Sequence, residues 1–185
     1  MRGRLFCVLG PSGVGKDTLI RAAVAARPGL YWARRVITRP ERPEGEPYEG
    51  VSPARFERRL AAGEFAVHWR AHGLSYGVAR RELEMRAQSR DVIFNGSRKA
   101  LDTIRAALPE VRILHLTARP ETLALRLAAR GRETGDEIAG RLDRPVAPLP
   151  PEPGVTEICN DGALDRALAA MLAALDSQTG GKSIR

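Results

Sequence analysis

The segment Gly10-Pro11-Ser12-Gly13-Val14-Gly15-Lys16 constrains this chain more than any other. It follows at once on the apolar run Leu5 to Leu9 (LFCVL), and it opens a helical stretch from about Lys16 to Ala26 that Pro28-Gly29 ends. A glycine loop of the form G-x-x-x-x-G-K between a buried-type strand and a helix lets backbone N–H groups and the helix N-terminus surround a phosphate chain. The spacing therefore predicts that Gly10, Pro11, Ser12, Gly13, Val14, Gly15 and Lys16, with Asp17 and Thr18 at the helix start, hold ATP with Mg²⁺, and that Lys16 reaches the β- and γ-phosphates. Asp17 stands where such loops usually carry Ser or Thr on the metal. Its carboxylate is a hard oxygen ligand that either binds Mg²⁺ directly or holds one of its waters, and it also suits the positive end of the helix dipole.

The rest of the chain alternates strands with helices, which predicts a parallel sheet covered on both faces. Leu30 to Thr38 reads as a strand, Pro40 to Gly50 as a loop and Pro53 to Ala62 as a short helix. Phe65 to Val78 reads as two strands about a turn at His72-Gly73. Asp91 to Asn95 and Val111 to Leu116 are again buried-type strands, joined by a helix from roughly Lys99 to Ala107. Pro120 opens a further helix to about Arg130; Val155 to Cys159 and Leu164 to Leu175 complete the pattern as strand and helix. Cys7 and Cys159 lie in strand-like runs without metal or disulfide spacing and are expected to be buried; His68 and His115 are expected to be packed or hydrogen-bonded, and His72 lies in the turn, with ligand contact the less favoured of its two readings. Trp32 and Trp69 read as core or lining rather than as stacking platforms.

With 185 residues and 43% hydrophobic composition the chain suits one globular domain, and no apolar run reaches the ~18 residues of a membrane span. The N-terminus carries no signal-peptide pattern, so a cytoplasmic location is expected. The net charge is +8, and all but Lys16, Lys99 and Lys182 of the basic residues are arginines, whose planar fork fits phosphate. No interleaving of aromatic and basic residues accompanies this charge, so no nucleic-acid partner is expected.

Beyond the glycine loop, the sequence resembles the guanylate kinase family over most of its length. The resemblance rests on GPSGVGK, on ITRPER at Ile37 to Arg42 followed by Tyr48, on SYG at Ser75 to Gly77, on RLAARGRE at Arg126 to Glu133, on Arg141, and on CND at Cys159 to Asp161. It implies an α/β, three-layer P-loop NTPase fold with a parallel sheet, a small acceptor-binding insertion and a helical lid. Within a single kinase domain, 1–185, the core would comprise 1–30, 88–125 and 150–176, the insertion about 31–87, the lid about 126–148, and a tail 177–185. The resemblance further implies that Arg39, Arg42 and Tyr48 hold the acceptor phosphate, that Arg130, Arg132 and Arg141 close over the transferring group, and that Asn160 lies against the adenine.

The positions with which that family reads guanine are not kept. The base-pairing glutamate falls on Val67, the hydroxyl after the YG pair falls on Val78, and the acidic residue after the DVIF strand is replaced by Asn95-Gly96-Ser97-Arg98. Valine accepts no hydrogen bond from a purine edge, so guanylate is a poor acceptor for such a site. The same departures, with GKD in the loop, HGLSYGV at His72 to Val78 and NGSR at Asn95 to Arg98, resemble a narrower group of the family. Its members phosphorylate a small phosphorylated sugar, ribose 1,5-bisphosphate, to 5-phosphoribosyl 1-diphosphate in phosphonate catabolism. On that reading Tyr76, Asn95, Ser97 and Arg98 join the acceptor site, Arg98 toward the 5-phosphate or the ribose hydroxyls. Two alternatives stay open: a nucleoside monophosphate kinase with an unusual base site, and a non-catalytic guanylate kinase-like binding module. The intact Lys16 and the lid arginines speak against the second.

Overall fold

The first strand, β1 (Leu5–Leu9), is buried at every position, because it lies at the centre of a sheet covered on both faces. The computed structural model describes residues 2–43, 45–129, 149, 152 and 154–177. β1 runs through the glycine loop into α1 (Lys16–Ala26), then β2 (Leu30–Trp32), β3 (Arg35–Ile37) and β4 (Tyr48–Gly50). Next come α2 (Pro53–Ala61), β5 (Phe65–Ala71), β6 (Leu74–Ala79) and α3 (Arg80–Leu83), which passes into a 3₁₀ turn, Glu84–Gln88. β7 (Asp91–Asn95), a 3₁₀ turn at Arg98–Ala100, α4 (Leu101–Ala107), β8 (Arg112–Thr117), α5 (Pro120–Ala129), β9 (Val155–Cys159) and α6 (Leu164–Asp176) follow.

The larger sheet has the order β2-β7-β1-β8-β9, and all its pairs are parallel. Successive β1 side chains face opposite ways and build two cores. Phe6 and Val8 pack with Leu19, Ile20 and Ala23 of α1 and with Met171 and Leu175 of α6. Cys7 and Leu9 pack with Phe94, Ile104 of α4 and the inner face of the second sheet. That second sheet has the order β4-β3-β6-β5, with β3-β4 parallel and the other pairs antiparallel. α2 covers its far side. Ser52 caps this helix by accepting from the Arg55 N–H at 3.3 Å, Pro53 supplies the first turn, and Phe56 stacks on Phe65 with centroids 4.7 Å apart.

The glycine loop, α1 and most later strands lie where the sequence places them. The expected single strand from Leu30 to Thr38 is instead two strands in different sheets. The Ala33 N–H makes a bond to the Ile93 carbonyl, after which the chain leaves the parallel sheet, and Arg35 pairs with Val78 in the other. No glycine or proline marks this crossing. Cys159 is exposed because it ends an edge strand, and His68 points outward from β5; Cys7, His115 and Trp69 are buried as expected. α3 and its 3₁₀ extension were not legible in the sequence.

Candidate functional site

The loop after β1 takes its shape from glycines. Gly13 (φ 83°) and Gly15 (φ 90°) adopt left-handed conformations that a side chain disfavours, and a Cβ on Gly15 would stand 2.8 Å from Asn160 Nδ2. Gly15 caps α1 without a side-chain cap bond, so the helix N-terminus opens directly from the loop. Lys16 Nζ curls back and donates to the carbonyls of Gly10 at 2.8 Å and Pro11 at 3.0 Å, so the cation is held beside the loop. Buried Asn160 donates from Nδ2 to the Val14 carbonyl at 2.7 Å, and its own N–H bonds the Thr117 carbonyl. The segment after β9 is thereby fastened to the loop. Ser12 and Thr18 are exposed, and Pro11 is half-buried.

Asp17, in the first turn of α1, accepts from Asn95 Nδ2 at 2.9 Å. Asn95 ends β7, is buried, and its Oδ1 has no hydrogen-bond partner among the described residues. Two hard oxygen donors, the Asp17 carboxylate and Asn95 Oδ1, thus belong to side chains in direct contact. Among the described residues no group of three or more His, Cys, Asp and Glu could hold a metal. This donor set suits an ion that keeps most of its ligands as phosphate oxygens and water, as Mg²⁺ does, rather than an all-protein cage.

On the second sheet the Arg39 guanidinium lies over the Tyr48 ring, 4.5 Å from its centroid, and the Tyr48 hydroxyl donates to the Pro40 carbonyl. Arg39 Nε is buried without a partner among the described residues. Arg42 is exposed and lines a cleft with Arg21, Val24 and Trp32. Tyr76 is buried and stacks on Trp69 at 5.6 Å with planes 3° apart. Ser97 and Arg98 follow β7, both half-buried, and Arg98 Nη1 is another buried donor without a partner among the described residues. Both ring nitrogens of His115, which is 1% exposed, are likewise unpartnered among the described residues. Burial, and next the Arg98 cation, push the His115 pKa down against the pull of Glu157, so the ring is neutral. Arg130, Arg132 and Arg141, the expected lid residues, lie outside the described residues.

The structure adds three residues that sequence reasoning passed over. Arg35 forms a two-armed ion pair with Glu46, Nε to Oε1 at 2.6 Å and Nη2 to Oε2, with side chains 11% and 4% exposed. Burial works against the Arg35 charge, but Glu46 outweighs it, with help from Tyr76 and Asp17, and the guanidinium is held more firmly protonated than usual. The legible signal was period two: in a strand Arg35 shares a face with inward-facing Ile37. Arg126 on α5 donates from Nη1 to the Val14 carbonyl at 3.4 Å, a long contact that places its charge at the glycine loop. The signal was its spacing, one helical turn before Arg130.

Known proteins fit this arrangement. A family model described as guanylate kinase matches residues 2–177. A bifunctional ribose 1,5-bisphosphokinase-thymidine phosphorylase from Cupriavidus necator is 44% identical over 96% of this chain, and the chain spans only 30% of that relative's length. A ribose 1,5-bisphosphate phosphokinase PhnN from Ruegeria sp. is 42% identical over 96% of this chain and 94% of its own. Among solved structures, guanylate kinase from Anaplasma phagocytophilum superposes with a TM-score of 0.61 at 20% identity, covering 96% of this chain and 88% of that one, which is a likeness of fold.

Proposed function

The chain belongs to the guanylate kinase family, and we propose that within it this protein transfers the γ-phosphoryl group of ATP to the 1-phosphate of ribose 1,5-bisphosphate, giving 5-phosphoribosyl 1-diphosphate and ADP. The observation that carries this reading is the state of the base-reading positions. Val67 and Val78 are buried, apolar and paired with each other across β5 and β6, so the sheet offers a purine edge nothing to bond there. The relatives named as ribose 1,5-bisphosphate phosphokinases, 39% to 48% identical, support the same acceptor.

The acceptor is a phosphate oxygen, ionised at neutral pH, and needs no strong general base. Catalysis is then positioning and neutralisation of charge. Lys16 is held at the glycine loop to meet the β- and γ-phosphates. Asp17 and Asn95 would hold Mg²⁺, which neutralises and orients the triphosphate when bound. Arg39 and Tyr48 grip the acceptor phosphate, with Arg42 closing from its exposed loop. Tyr76, Ser97 and Arg98 line the sugar end, and Arg130, Arg132 and Arg141 close over the moving group. Asn160 borders the adenine. We place the reaction in the cytoplasm, where ATP is at hand, and its setting in phosphonate catabolism rests on the narrower motif resemblance.

The test is ADP release by the purified protein with Mg-ATP, comparing ribose 1,5-bisphosphate with GMP and using Lys16→Ala as the inactive control. Turnover with the sugar bisphosphate and little with GMP is expected. Turnover with GMP alone refutes the acceptor and leaves a nucleotide kinase; no turnover with any acceptor favours a binding module.

A further inference from the structure

Four residues that are register partners form one row across the second sheet. Tyr48 on β4 pairs with Arg35 on β3, Arg35 pairs with Val78 on β6, and Val78 pairs with Val67 on β5. Register partners present their side chains to the same face. At one end of the row the Arg39 guanidinium covers the Tyr48 ring. At the other end are the two valines that replace base-reading residues. Between them lies a buried cation, one strand spacing, ~5 Å, from Tyr48.

Arg35 is locked in place on several sides. Glu46 takes its Nε and Nη2 edge, and the guanidinium lies 5.0 Å from the Tyr76 ring centroid and 5.8 Å from that of Trp69. An arginine carries five N–H donors and Glu46 engages two; among the described residues no other hydrogen bond is made by this guanidinium, so the opposite edge, with Nη1, offers a fork to a second anion. This cation also feels the Asp17 carboxylate at the start of α1, so it lies toward the phosphate-binding side of the molecule and not in a remote part of the sheet. A buried ion pair by itself adds little to stability, and an apolar pair of similar volume would serve the core as well.

We infer that Arg35, clamped by Glu46 against Trp69 and Tyr76, is the specificity-determining anchor for the second phosphate of the acceptor, in the place where a nucleotide-binding relative would read a base. The inference rests on the sugar-bisphosphate reading above. Its chemistry is direct. The 1-phosphate is held at Arg39 and Tyr48, and the 5-phosphate, one ribose ring away, reaches the next strand, where the free edge of the fork receives it. Arg98 is then left to the ribose hydroxyls.

The experiment compares kcat/KM for ribose 1,5-bisphosphate with that for ribose 1-phosphate, which lacks the second phosphate, in the wild type and in variants. Arg35→Met alone would strand the Glu46 carboxylate in the core, so the pair is replaced together as Arg35→Met with Glu46→Leu, and melting temperature and the KM for ATP verify the fold. The wild type should prefer the bisphosphate, and the double variant should lose that preference by ~30-fold or more, the scale of a charged hydrogen-bonded contact. Arg35→Lys, which keeps a charge but not the fork, should lower it by ~10-fold and decides the matter if the double variant does not fold. A folded double variant, or an Arg35→Lys variant, that discriminates as the wild type does would overturn the inference and leave the pair a packing feature. A wild type that turns over neither ribose compound overturns the sugar-bisphosphate reading itself, and this inference with it; that outcome is visible before any variant is made.

Discussion

Asn160 Nδ2 donates to the Val14 carbonyl at 2.7 Å, across 146 residues of sequence, and closes the glycine loop against the turn that follows β9. The same amide would be only 2.8 Å from a Cβ on Gly15, so loop and turn are fitted to each other. Removing the amide leaves the Val14 carbonyl, among the described residues, with only the long Arg126 contact. Asn160→Ala should cost about 1–2 kcal/mol of stability and raise the KM for ATP roughly tenfold, through a loosened loop. Thermal unfolding and an ATP titration at saturating acceptor measure the two effects.

Asp17 takes the place of the usual hydroxyl residue, and Asn95 bonds to it at 2.9 Å. If these oxygens hold the metal, Asp17→Ala should raise the Mg²⁺ concentration for half-maximal turnover by roughly tenfold, and Asp17→Ser should raise it less, since a hydroxyl restores a neutral ligand. A Mg²⁺ dependence unchanged in both variants would leave Asp17 as a helix-dipole residue only.

Arg98 has a buried Nη1 without a partner among the described residues, beside a neutral, buried His115. Arg98→Ala should weaken the sugar bisphosphate by roughly tenfold, the lower range for a hydrogen bond from a charged group, with the KM for ATP little moved. Full retention of acceptor affinity, read by calorimetry, would remove Arg98 from the site.

The Asp91 carboxylate accepts from the Arg4 backbone N–H at 2.7 Å, from Arg4 Nη2 at 2.7 Å and from Arg27 Nη2 at 3.1 Å. Burial raises its pKa, but the Arg4 bonds outweigh burial and, with Arg27, hold it below the ordinary carboxylate value of 3.8. A depressed folded pKa gives stability that is complete above the unfolded value and is lost as pH falls through the folded one. Asp91→Asn should therefore cost about 2 kcal/mol at pH 7, and its melting temperature should begin to approach the wild-type value only below about pH 4, the gap closing as pH falls through the depressed folded value. A gap that stays constant down to pH 3 would show that charge is not the source.

The candidate site was legible in unequal parts. The glycine loop and α1 could be read to the residue, because a short apolar run, three glycines, a lysine and a helix-ending Pro-Gly lie within one continuous segment. Arg35, Glu46 and Arg126 could not be singled out, since arginine is spread along the whole chain and its role depends on its partner. Arg4 meets Asp91, Arg86 meets Glu110, Arg59 meets Glu49 and Glu64, and Arg35 meets Glu46; these are structural pairs or site features that look alike as letters. His68 and Cys159 misled for a related reason. A strand-like run says which residues alternate, but exposure depends on whether the strand is central or at an edge.

What the sequence by itself determined is therefore local. It set the strand–loop–helix phosphate cradle, the alternation that builds a parallel sheet, and the loss of polar residues at positions 67 and 78, because backbone conformation and side-chain chemistry act within a few residues. What only the tertiary structure decided is which distant groups meet. The crossing between β2 and β3 moves Arg35 out of one sheet and into a row with Tyr48, Val78 and Val67 in the other, and the parallel sheet brings Asn95 to Asp17 and Asn160 to Val14. Those meetings depend on sheet order and register, which are set by burial summed over the whole chain and which no single segment encodes.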